Sequence, residues 1–367
     1  MPLALAVDQR GILPDEMIGA LIRDGAILAE YEFVQDQVQP ASLDLRLGET
    51  AFRVRASFLP GPATTVAERI DDLKLHEIAL TDGAVLETGC VYIVPLLESL
   101  ALPDDISAAA NPKSSTGRID VFTRVIADET RGFDRISAGY HGPLYAEISP
   151  KTFPVLVREG SRLSQIRFRH GNAQLSAEAL RALHLAERLV DDEEADVGEG
   201  VAVSVDLGGL GPDGFVGYRA KRHTGVVDVD RRAGYDVGEF WEPMKARKDE
   251  SLVLDPDEFY ILASKEAVHV PPTHAAEMVP FNPLVGEFRV HYAGFMDPGF
   301  GHAAAGGSGS RVVLEVRSHT VPFVLEDGQI IGRLVYERMT EIPEILYGRD
   351  LGSNYQAQGL KLSKHFK

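Results

Sequence analysis

The sequence predicts a mainly β protein made of two tandem copies of one domain, joined by a helix. Short alternating segments bounded by Gly or Pro predict strands over most of the chain. Gly142–Phe168 aligns without a gap with Ser310–Tyr336, which predicts an internal duplication. Only two long stretches have the apolar periodicity of a helix, so the remaining chain is expected to be largely strand and turn.

Composition limits the class of protein and its partners. The 367 residues correspond to about two domains, and 44% hydrophobic with 25% charged residues is typical of a packed globular chain. Lys and Arg total 37 against 55 Asp and Glu, and the resulting charge of −18 argues against nucleic acid and membrane partners. No apolar run approaches a span of ~20 residues, and Met1–Arg10 lacks the layout of a signal peptide. We therefore expect a soluble, cytoplasmic protein.

Two helices have start or stop signals. In Leu13–Gly25, Pro14 suits a first helical turn and Gly25 is a stop signal. In Leu175–Val190, Ser176 is the expected N-cap. Asp191–Glu194 follows and is expected to be a solvated charge run. Strands are predicted from alternation at Ser42–Gly48, Leu144–Ile148, Phe153–Val157 and Arg162–Phe168.

The repeat sets the expected domain boundaries. Residues 1–172 form the first domain, 173–200 a helical and acidic linker, and 201–367 the second domain with a C-terminal tail. Within the repeat, Glu147 aligns with Glu315, so the same strand position has a carboxylate in both copies.

The stretch Asn111–Arg118, NPKSSTGR, contains the densest set of ligand-binding side chains. Lys113 supplies a cation, Ser114 and Ser115 supply hydroxyls, and Arg118 supplies a fork of N–H donors. Such a set suits the capture of a phosphate or another polar ligand. An Asn-Pro turn followed by a solvated loop is the alternative.

Other candidate residues give weaker signals by themselves. Glu147 lies in the middle of an alternating strand, where it is either a solvent-facing residue or a rigidly held general base. Asp297 opens the sequence Asp-Pro-Gly-Phe, which is typical of a simple β-turn. His269 and His274 are five residues apart but lack an HExxH motif, so they are expected to be ordinary loop histidines. Cys90 is the single cysteine, which excludes intrachain disulfides and multi-cysteine zinc sites.

Taken in order, several fragments resemble those of one enzyme family. ASLDLRLG, PKSSTGR, YAEI and VREGSRLSQIRF occur in the first half, and MDPGFG and PFVLEDGQIIGRLVYE occur in the second. Near the C-terminus, SNYQAQG is similar to a tail that covers the bound nucleotide. Together they resemble the dCTP deaminases, which share the trimeric dUTPase fold. The resemblance implies two tandem dUTPase-like domains, each a distorted β-barrel or jelly roll.

The resemblance also implies roles for individual residues. It assigns catalysis to Glu147, Ser114 and Arg118. Substrate binding is assigned to the basic, hydroxyl, turn and tail positions that match the family, namely Lys113, Ser115, Arg135, Asp297, Tyr355 and Gln358. Lys113 replaces the arginine that the family usually has, and a lysine still binds phosphate as a point charge.

The expected reaction is the hydrolysis of dCTP to dUTP and ammonia. Zinc deaminases hold their metal with His and Cys, and a chain with one cysteine and no PCxxC motif is expected to work without zinc. Glu147 would then move the proton of the attacking water. Mg²⁺ is expected to bind through the substrate triphosphate, with no metal site on the protein. A homo-oligomer with threefold or pseudo-threefold packing is expected, and dTTP is a candidate feedback ligand.

The two halves depart from the family pattern in different places. The first half has Ser137-Ala138-Gly139 where the family has Asp-Pro-Gly, and the second half has Leu284-Val285 in place of the Lys-Ser-Ser run. We therefore expect the first domain to be catalytic and the second to be a degenerate copy that contributes its tail. Two alternatives remain open: a dUTP diphosphatase or bifunctional enzyme in which Asp297 activates water, and a non-catalytic regulatory module that binds nucleotide.

Overall fold

The chain forms two compact units. A computed structural model describes residues 9–192, 195–210, 214–280, 288–291, 294–318, 320–348, 356 and 359–367. The first unit consists of Met1–Ala173, Gly225–Gly234 and Met339–Glu344. The second consists of Gln174–Thr224, Tyr235–Arg338 and Ile345–Lys367. Within the described ranges, no helix is long and apolar enough to cross a membrane.

Helices are few and short. Those described are α1 (Asp15–Arg23), α2 (Val66–Leu73), α3 (Ser114–Gly117), α4 (Ala177–Glu187), α5 (Val237–Phe240) and a 3₁₀ turn at Ala303–Ala305. The two predicted helices are confirmed as α1 and α4. Helix α1 stops before Gly25, which adopts a left-handed φ of +73° that favours glycine. Helix α4 begins after Ser176, whose hydroxyl accepts a hydrogen bond of 3.2 Å from the Ala179 amide.

Helix α2 was not predicted from periodicity, although a local signal for it exists. Thr65 and Glu68 form a capping box: the Thr65 hydroxyl accepts from the Glu68 amide at 3.2 Å, and the Glu68 carboxylate accepts from the Thr65 amide at 2.8 Å. The T-x-x-E spacing was the signal for this start. The helix is only eight residues long, which is too short for a clear helical period.

The strands of the first half of the chain begin with β1. They are β1 (Gly11–Ile12), β2 (Ile27–Ala29), β3 (Val38–Gln39), β4 (Ser42–Leu45), β5 (Thr50–Val54), β6 (Lys74–Ala79), β7 (Ala84–Leu86), β8 (Val91–Ala101), β9 (Ile106–Pro112), β10 (Val121–Ala127), β11 (Arg135–Ile136), β12 (His141–Pro150), β13 (Val155–Val157) and β14 (Ser164–His170). The four predicted strands correspond to β4, β12, β13 and β14, with ends that differ by a few residues.

The second half continues the numbering. Its strands are β15 (Val197–Gly198), β16 (Gly200–Ser204), β17 (Phe215–Ala220), β18 (Val227–Asp228), β19 (Trp241–Lys245), β20 (Ser251–Leu254), β21 (Phe259–Val268), β22 (His274–Pro280), β23 (Phe288–His291), β24 (Phe295–Met296), β25 (Ser310–Ser318), β26 (Phe323–Glu326) and β27 (Ile330–Arg338).

The two units repeat one sheet topology, which confirms the predicted mainly β duplication. In the first unit one sheet has the order β11-β9-β14-β4-β3 and another the order β10-β12-β8-β5-β6. The second unit has β24-β22-β27-β16-β15 and β23-β25-β21-β17-β19. Each smaller sheet also repeats, since β13 pairs with β7 as β26 pairs with β20.

Each unit has its own apolar core. A cluster in the first unit contains Ile93, Ile126, Val54 and Tyr145, with Phe133 packed against it. The larger cluster of the second unit is built from the inner faces of its sheets, and Leu180 of α4 is part of it. Helix α4 is therefore anchored in the second unit by its apolar side. Asp191 and Asp192, which follow it, are exposed as predicted.

One strand of the first unit comes from the second half of the chain. Strand β18 lies parallel to β13, with Val227 opposite Val155. Arg158 fixes this strand, because its Nη1 and Nη2 donate to the two carboxylate oxygens of Asp228 at 2.8 and 2.9 Å. Such a bidentate pair has well-defined geometry.

Candidate active site

The NPKSSTGR segment forms a buried helical turn between β9 and β10. Pro112 ends β9, and Lys113 is still extended, with φ −68° and ψ 144°. The carbonyl oxygen of Lys113 then accepts from the amides of Thr116 and Gly117, at 2.8 and 3.0 Å, which closes the turn. Arg118 ends the turn as the C-cap of α3.

Side chains of this turn are mostly enclosed. Ser115 and Arg118 are buried, and Ser114 is half-buried. Asp120, just after the turn, is left-handed at φ +56°, and its carboxylate accepts from the Thr152 hydroxyl at 2.5 Å. The alternative of a solvated loop is therefore wrong. The turn is a rigid platform, as a ligand-binding segment requires.

Lys113 is already paired with a carboxylate. Its Nζ contacts Oδ2 of Asp44, a buried residue of β4, and Nη1 of Arg162 lies 3.4 Å from the same oxygen. Arg162 also donates to Asp36 at 2.8 Å, and this hydrogen bond lowers the pKa of Asp36. A phosphate that binds Lys113 would therefore share its ammonium group with Asp44.

Glu147 lies in the middle of a sheet and is not exposed to solvent. Strand β12 runs between β10 and β8, with Glu147 opposite Arg124 on one side and Ile93 on the other. The residue is 1% exposed, so the interpretation as a surface residue is wrong. Its Oε1 accepts from Nε of Arg124 at 3.1 Å and from Nη2 at 2.6 Å. Its Oε2 is buried and has no hydrogen-bond partner in the part of the chain that the structure describes.

Arg135 and the turn that follows it form the edge of the first unit's other sheet. Arg135 is exposed on β11, opposite Ala109 of β9. Tyr140 closes the following turn, where its hydroxyl donates to the Pro143 carbonyl at 2.7 Å and accepts from the Asp128 amide at 3.1 Å. Burial raises the pKa of Tyr140 to about 12, so this hydroxyl stays protonated at neutral pH.

Asp297 belongs to the second unit and opens a turn. The Phe300 amide donates to its carbonyl at 3.1 Å, and Gly299 adopts φ +98°, as the Asp-Pro-Gly sequence predicts. Asp297 itself is buried.

The predicted tail residues Tyr355 and Gln358 lie outside the described residues, whereas Gln356 between them is described. The amide of Gln356 accepts from the Gly301 N–H at 3.0 Å and donates to the Gly299 carbonyl at 3.2 Å. Sequence reasoning missed this contact, because an amide side chain carries no signal of its backbone partners.

The structure groups the candidate residues of the first unit into three sets. Lys113, Ser114, Ser115 and Arg118 share the α3 turn, which leads directly into β10. Glu147 is on β12, the neighbour of β10, while Arg135 lies at the edge of the other sheet. Arg124 was not selected from the sequence, and only the strand register reveals it as the partner of Glu147.

No motif or cluster with metal-ligand geometry appears among the described residues. In these ranges no group of three or more His, Cys, Asp or Glu is placed to hold a metal ion. His274 is not a loop residue, because it begins β22, is buried, and has its Nδ1 2.8 Å from the Thr273 hydroxyl. Burial lowers its pKa to about 4, since the charged imidazolium is poorly solvated there.

Models of one protein family match both halves of the chain. The N-terminal domain of 2′-deoxycytidine 5′-triphosphate deaminase matches residues 9–172, and its C-terminal domain matches residues 176–366. This chain belongs to the dCTP deaminase family. The fold and the duplicated halves are thus those of a tandem dCTP deaminase-like chain.

Individual relatives agree with the family. The dCTP deaminase of Halorubrum lacusprofundi is 31% identical over 161 residues, which is 43% of this chain and 76% of the relative. A dUMP-forming dCTP deaminase of Streptomyces coelicolor is 30% identical over 156 residues, 42% of this chain and 78% of the relative.

A solved structure covers nearly the whole chain. The crystal structure of 2′-deoxycytidine 5′-triphosphate deaminase from Agrobacterium tumefaciens is 64% identical, with a TM-score of 0.87, and covers 90% of this chain and 99% of its own. The predicted tandem dUTPase-like fold is therefore confirmed.

Proposed function

We propose that this chain hydrolyses dCTP to dUTP and ammonia, with Glu147 of the first unit as the general base and no zinc. The observation that carries the proposal is the environment of Glu147. A carboxylate on a central strand has one oxygen bound by Arg124, while the other is buried without a partner among the described residues. Buried polar atoms are nearly always paired in native proteins, and a reacting water would supply the missing partner.

The reaction follows from moving two protons through this oxygen. Oε2 of Glu147 accepts a proton from water as the water oxygen bonds to C4 of the cytosine, and N3 receives that proton. Glu147 then carries the proton of the new C4 hydroxyl to the amino nitrogen, and the tetrahedral carbon loses its amino group. Ammonia leaves, and the carbonyl of dUTP forms at C4. One water is consumed for each ammonia released.

The α3 turn would supply the other groups. Ser114 would orient the attacking water, and Arg118 would stabilise the charge that develops on the ring. Arg118 suits this task because it is buried and its planar donors have fixed geometry. Binding of the substrate would fall to the remaining candidates, namely Lys113, Ser115, Arg135, Asp297, Tyr355 and Gln358.

Mg²⁺ is expected to arrive with the substrate, where it neutralises part of the triphosphate charge. The donor set near the α3 turn fits this arrangement. Asp44, the buried carboxylate that contacts Lys113, is already bound by two cations, so phosphate oxygens and waters would provide the Mg²⁺ ligands. The protein would contribute cations to the phosphates.

The first experiment follows two products. Purified protein is incubated with dCTP and Mg²⁺, ammonia and pyrophosphate are both measured, and dUTP alone is a parallel sample. We expect ammonia without pyrophosphate. Pyrophosphate from both nucleotides would instead indicate a bifunctional enzyme and make Asp297 the next target. Release of neither product would leave a nucleotide-binding module and contradict the proposal.

Assembly, regulation and location belong to the same proposal. The dUTPase-like fold packs around threefold axes, and we expect a homo-oligomer with threefold or pseudo-threefold packing, acting in the cytoplasm, with dTTP as feedback ligand. Light scattering tests the oligomer. Titration of the deaminase rate with dTTP tests the regulation.

A further inference from the structure

The two oxygens of the Glu147 carboxylate have unlike surroundings. Two N–H groups of Arg124 converge on Oε1, at 3.1 and 2.6 Å. Oε2 receives no hydrogen bond from any described residue, although it is buried. An Arg–carboxylate pair usually uses both oxygens in a parallel fork. Here both donors meet one oxygen, so the pair leaves the second oxygen available.

Arg124 is itself held from several directions. Its Cζ lies 3.4 Å from the ring centroid of Phe133 and 4.7 Å from that of Phe122. Nη2 also donates to the Ser57 hydroxyl at 3.0 Å. The side chain is 26% exposed, yet its contacts with two aromatic rings and a hydroxyl define its orientation. Stacking of this kind favours a guanidinium over an ammonium.

Backbone register makes the pair possible. Arg124 on β10 lies directly opposite Glu147 on β12 in an antiparallel pair. The corresponding register in the second unit places His291 opposite Glu315. An arginine is charged at every working pH. The first copy therefore has a permanent cation beside its carboxylate.

We propose that Arg124 is the positioning residue of the base: it holds Oε1, and thereby orients Oε2 toward the attacking water. This role rests on the proposed function of Glu147. Arg124 does not touch the reacting atoms, and its contribution is to fix the rotamer of the carboxylate. A base held in one orientation needs no rearrangement before proton transfer.

The test compares steady-state kinetics of full-length variants on dCTP with Mg²⁺. We expect Arg124→Ala to lower kcat about a hundredfold and to change KM by less than about threefold. Millimolar guanidinium chloride should restore part of the kcat of Arg124→Ala and none of that of Glu147→Gln. A residue that is only structural would show no such rescue.

Arg219→Ala is the matched control. It removes an Arg–Glu pair of the second unit with the same 2.6 Å distance, to Glu242, and we expect unchanged kcat and KM. If Arg124→Ala fails to fold, Arg124→Lys tests the proposal instead. This variant keeps the positive charge but loses the planar guanidinium donors, and kcat should fall about tenfold.

Any one of the following results would overturn the proposal. Unchanged kcat in the arginine variants, with Glu147→Gln inactive, would remove the role of Arg124 and keep the proposed base. A rise in KM alone would make Arg124 a substrate contact. An active Glu147→Gln, or a wild-type protein that releases no ammonia, would overturn the proposed function as well.

Discussion

The two copies share a scaffold but differ in their chemical groups. The order β10-β12-β8-β5-β6 of the first unit matches β23-β25-β21-β17-β19 of the second, and Glu147 and Glu315 occupy the same strand position. Around that carboxylate the copies diverge. Arg124 faces it in the first unit, and His291 occupies the facing position in the second.

This difference teaches which features a β fold constrains. Sheet order and core positions are set by the burial of the apolar faces of the sheets. Polar positions beside the carboxylate carry no such constraint, so they can differ while the fold stays the same. The Lys-Ser-Ser turn occurs in the first copy only, and Asp-Pro-Gly occurs in the second only.

The largest expected effect distinguishes the Glu147 carboxylate from the Glu315 carboxylate. Glu147→Gln should lower kcat about a thousandfold, because the amide cannot accept the water proton, while dCTP binding persists in calorimetry. Glu315→Gln should stay within about threefold of wild type. The reverse pattern would assign the base to the second copy and contradict our assignment.

A smaller effect tests the shared scaffold. Ile93 and Ile261 are fully buried and lie opposite Glu147 and Glu315 respectively. Each change to Ala should lower the free energy of unfolding by about 3 kcal/mol, because it leaves a cavity. Urea denaturation followed by circular dichroism measures both. Ile→Val at the same positions is the control, and it should lower the free energy of unfolding by about 1 kcal/mol. If either alanine variant lost less unfolding free energy than this control, the two copies would not be packed alike.

Acid should destabilise the second copy through a residue the first copy lacks. His274 occupies the register position that Ile106 has in the first unit, and burial lowers its pKa to about 4, with Arg338 lowering it further and Glu187 opposing. As the pH falls below about 6.5, His274 becomes protonated in the unfolded chain before it does in the folded protein. Stability therefore falls as pH drops, by about 2 kcal/mol between about pH 7 and about pH 5.

His274→Ile copies the first unit and should remove this part of the pH dependence. Urea denaturation at the two pH values measures it for wild type and variant. Equal pH dependence in both proteins would show that His274 does not titrate as described.

The smallest expected effect compares helix caps. Helix α2 precedes the strand that pairs with β5, and helix α5 precedes the strand that pairs with β17. Helix α2 has a capping box, whereas the Asp236 side chain makes no cap hydrogen bond to α5. Thr65→Ala should cost about 1 kcal/mol of unfolding free energy, and Asp236→Ala a few tenths. Thermal denaturation measures the loss of stability in each variant, and equal losses in both would contradict the expected difference between the two helix caps.

Local signals in the sequence predicted the structural features that depend on residues close together in the chain. Gly25 and Ser176 marked the ends of α1 and α4, and the gapless repeat predicted the duplicated fold. Burial of Glu147 was not predictable, because alternation along a strand suggests one solvated face. Strand β12 is covered on both edges and its second half is buried throughout, which only the sheet order reveals.

The partner of Glu147 depends on register, which no local pattern encodes. Arg124 is 23 residues away along the chain, and a shift of one residue in strand pairing would have placed its side chain on the other face. The roles of Ser114, Arg118 and Glu147 came from the family resemblance, and they stay predictions until the kinetics are measured.

The origin of strand β18 has a consequence for synthesis on the ribosome. The first unit uses Gly225–Gly234 and Met339–Glu344 in addition to the first 173 residues. Domains usually fold from the N-terminus as they emerge, but this one lacks its last segment until Glu344 has been translated. Completion of the first unit is therefore a late, long-range closure, of the kind that folds slowly, and a nascent chain stalled after residue 173 should expose the unpaired edge of β13.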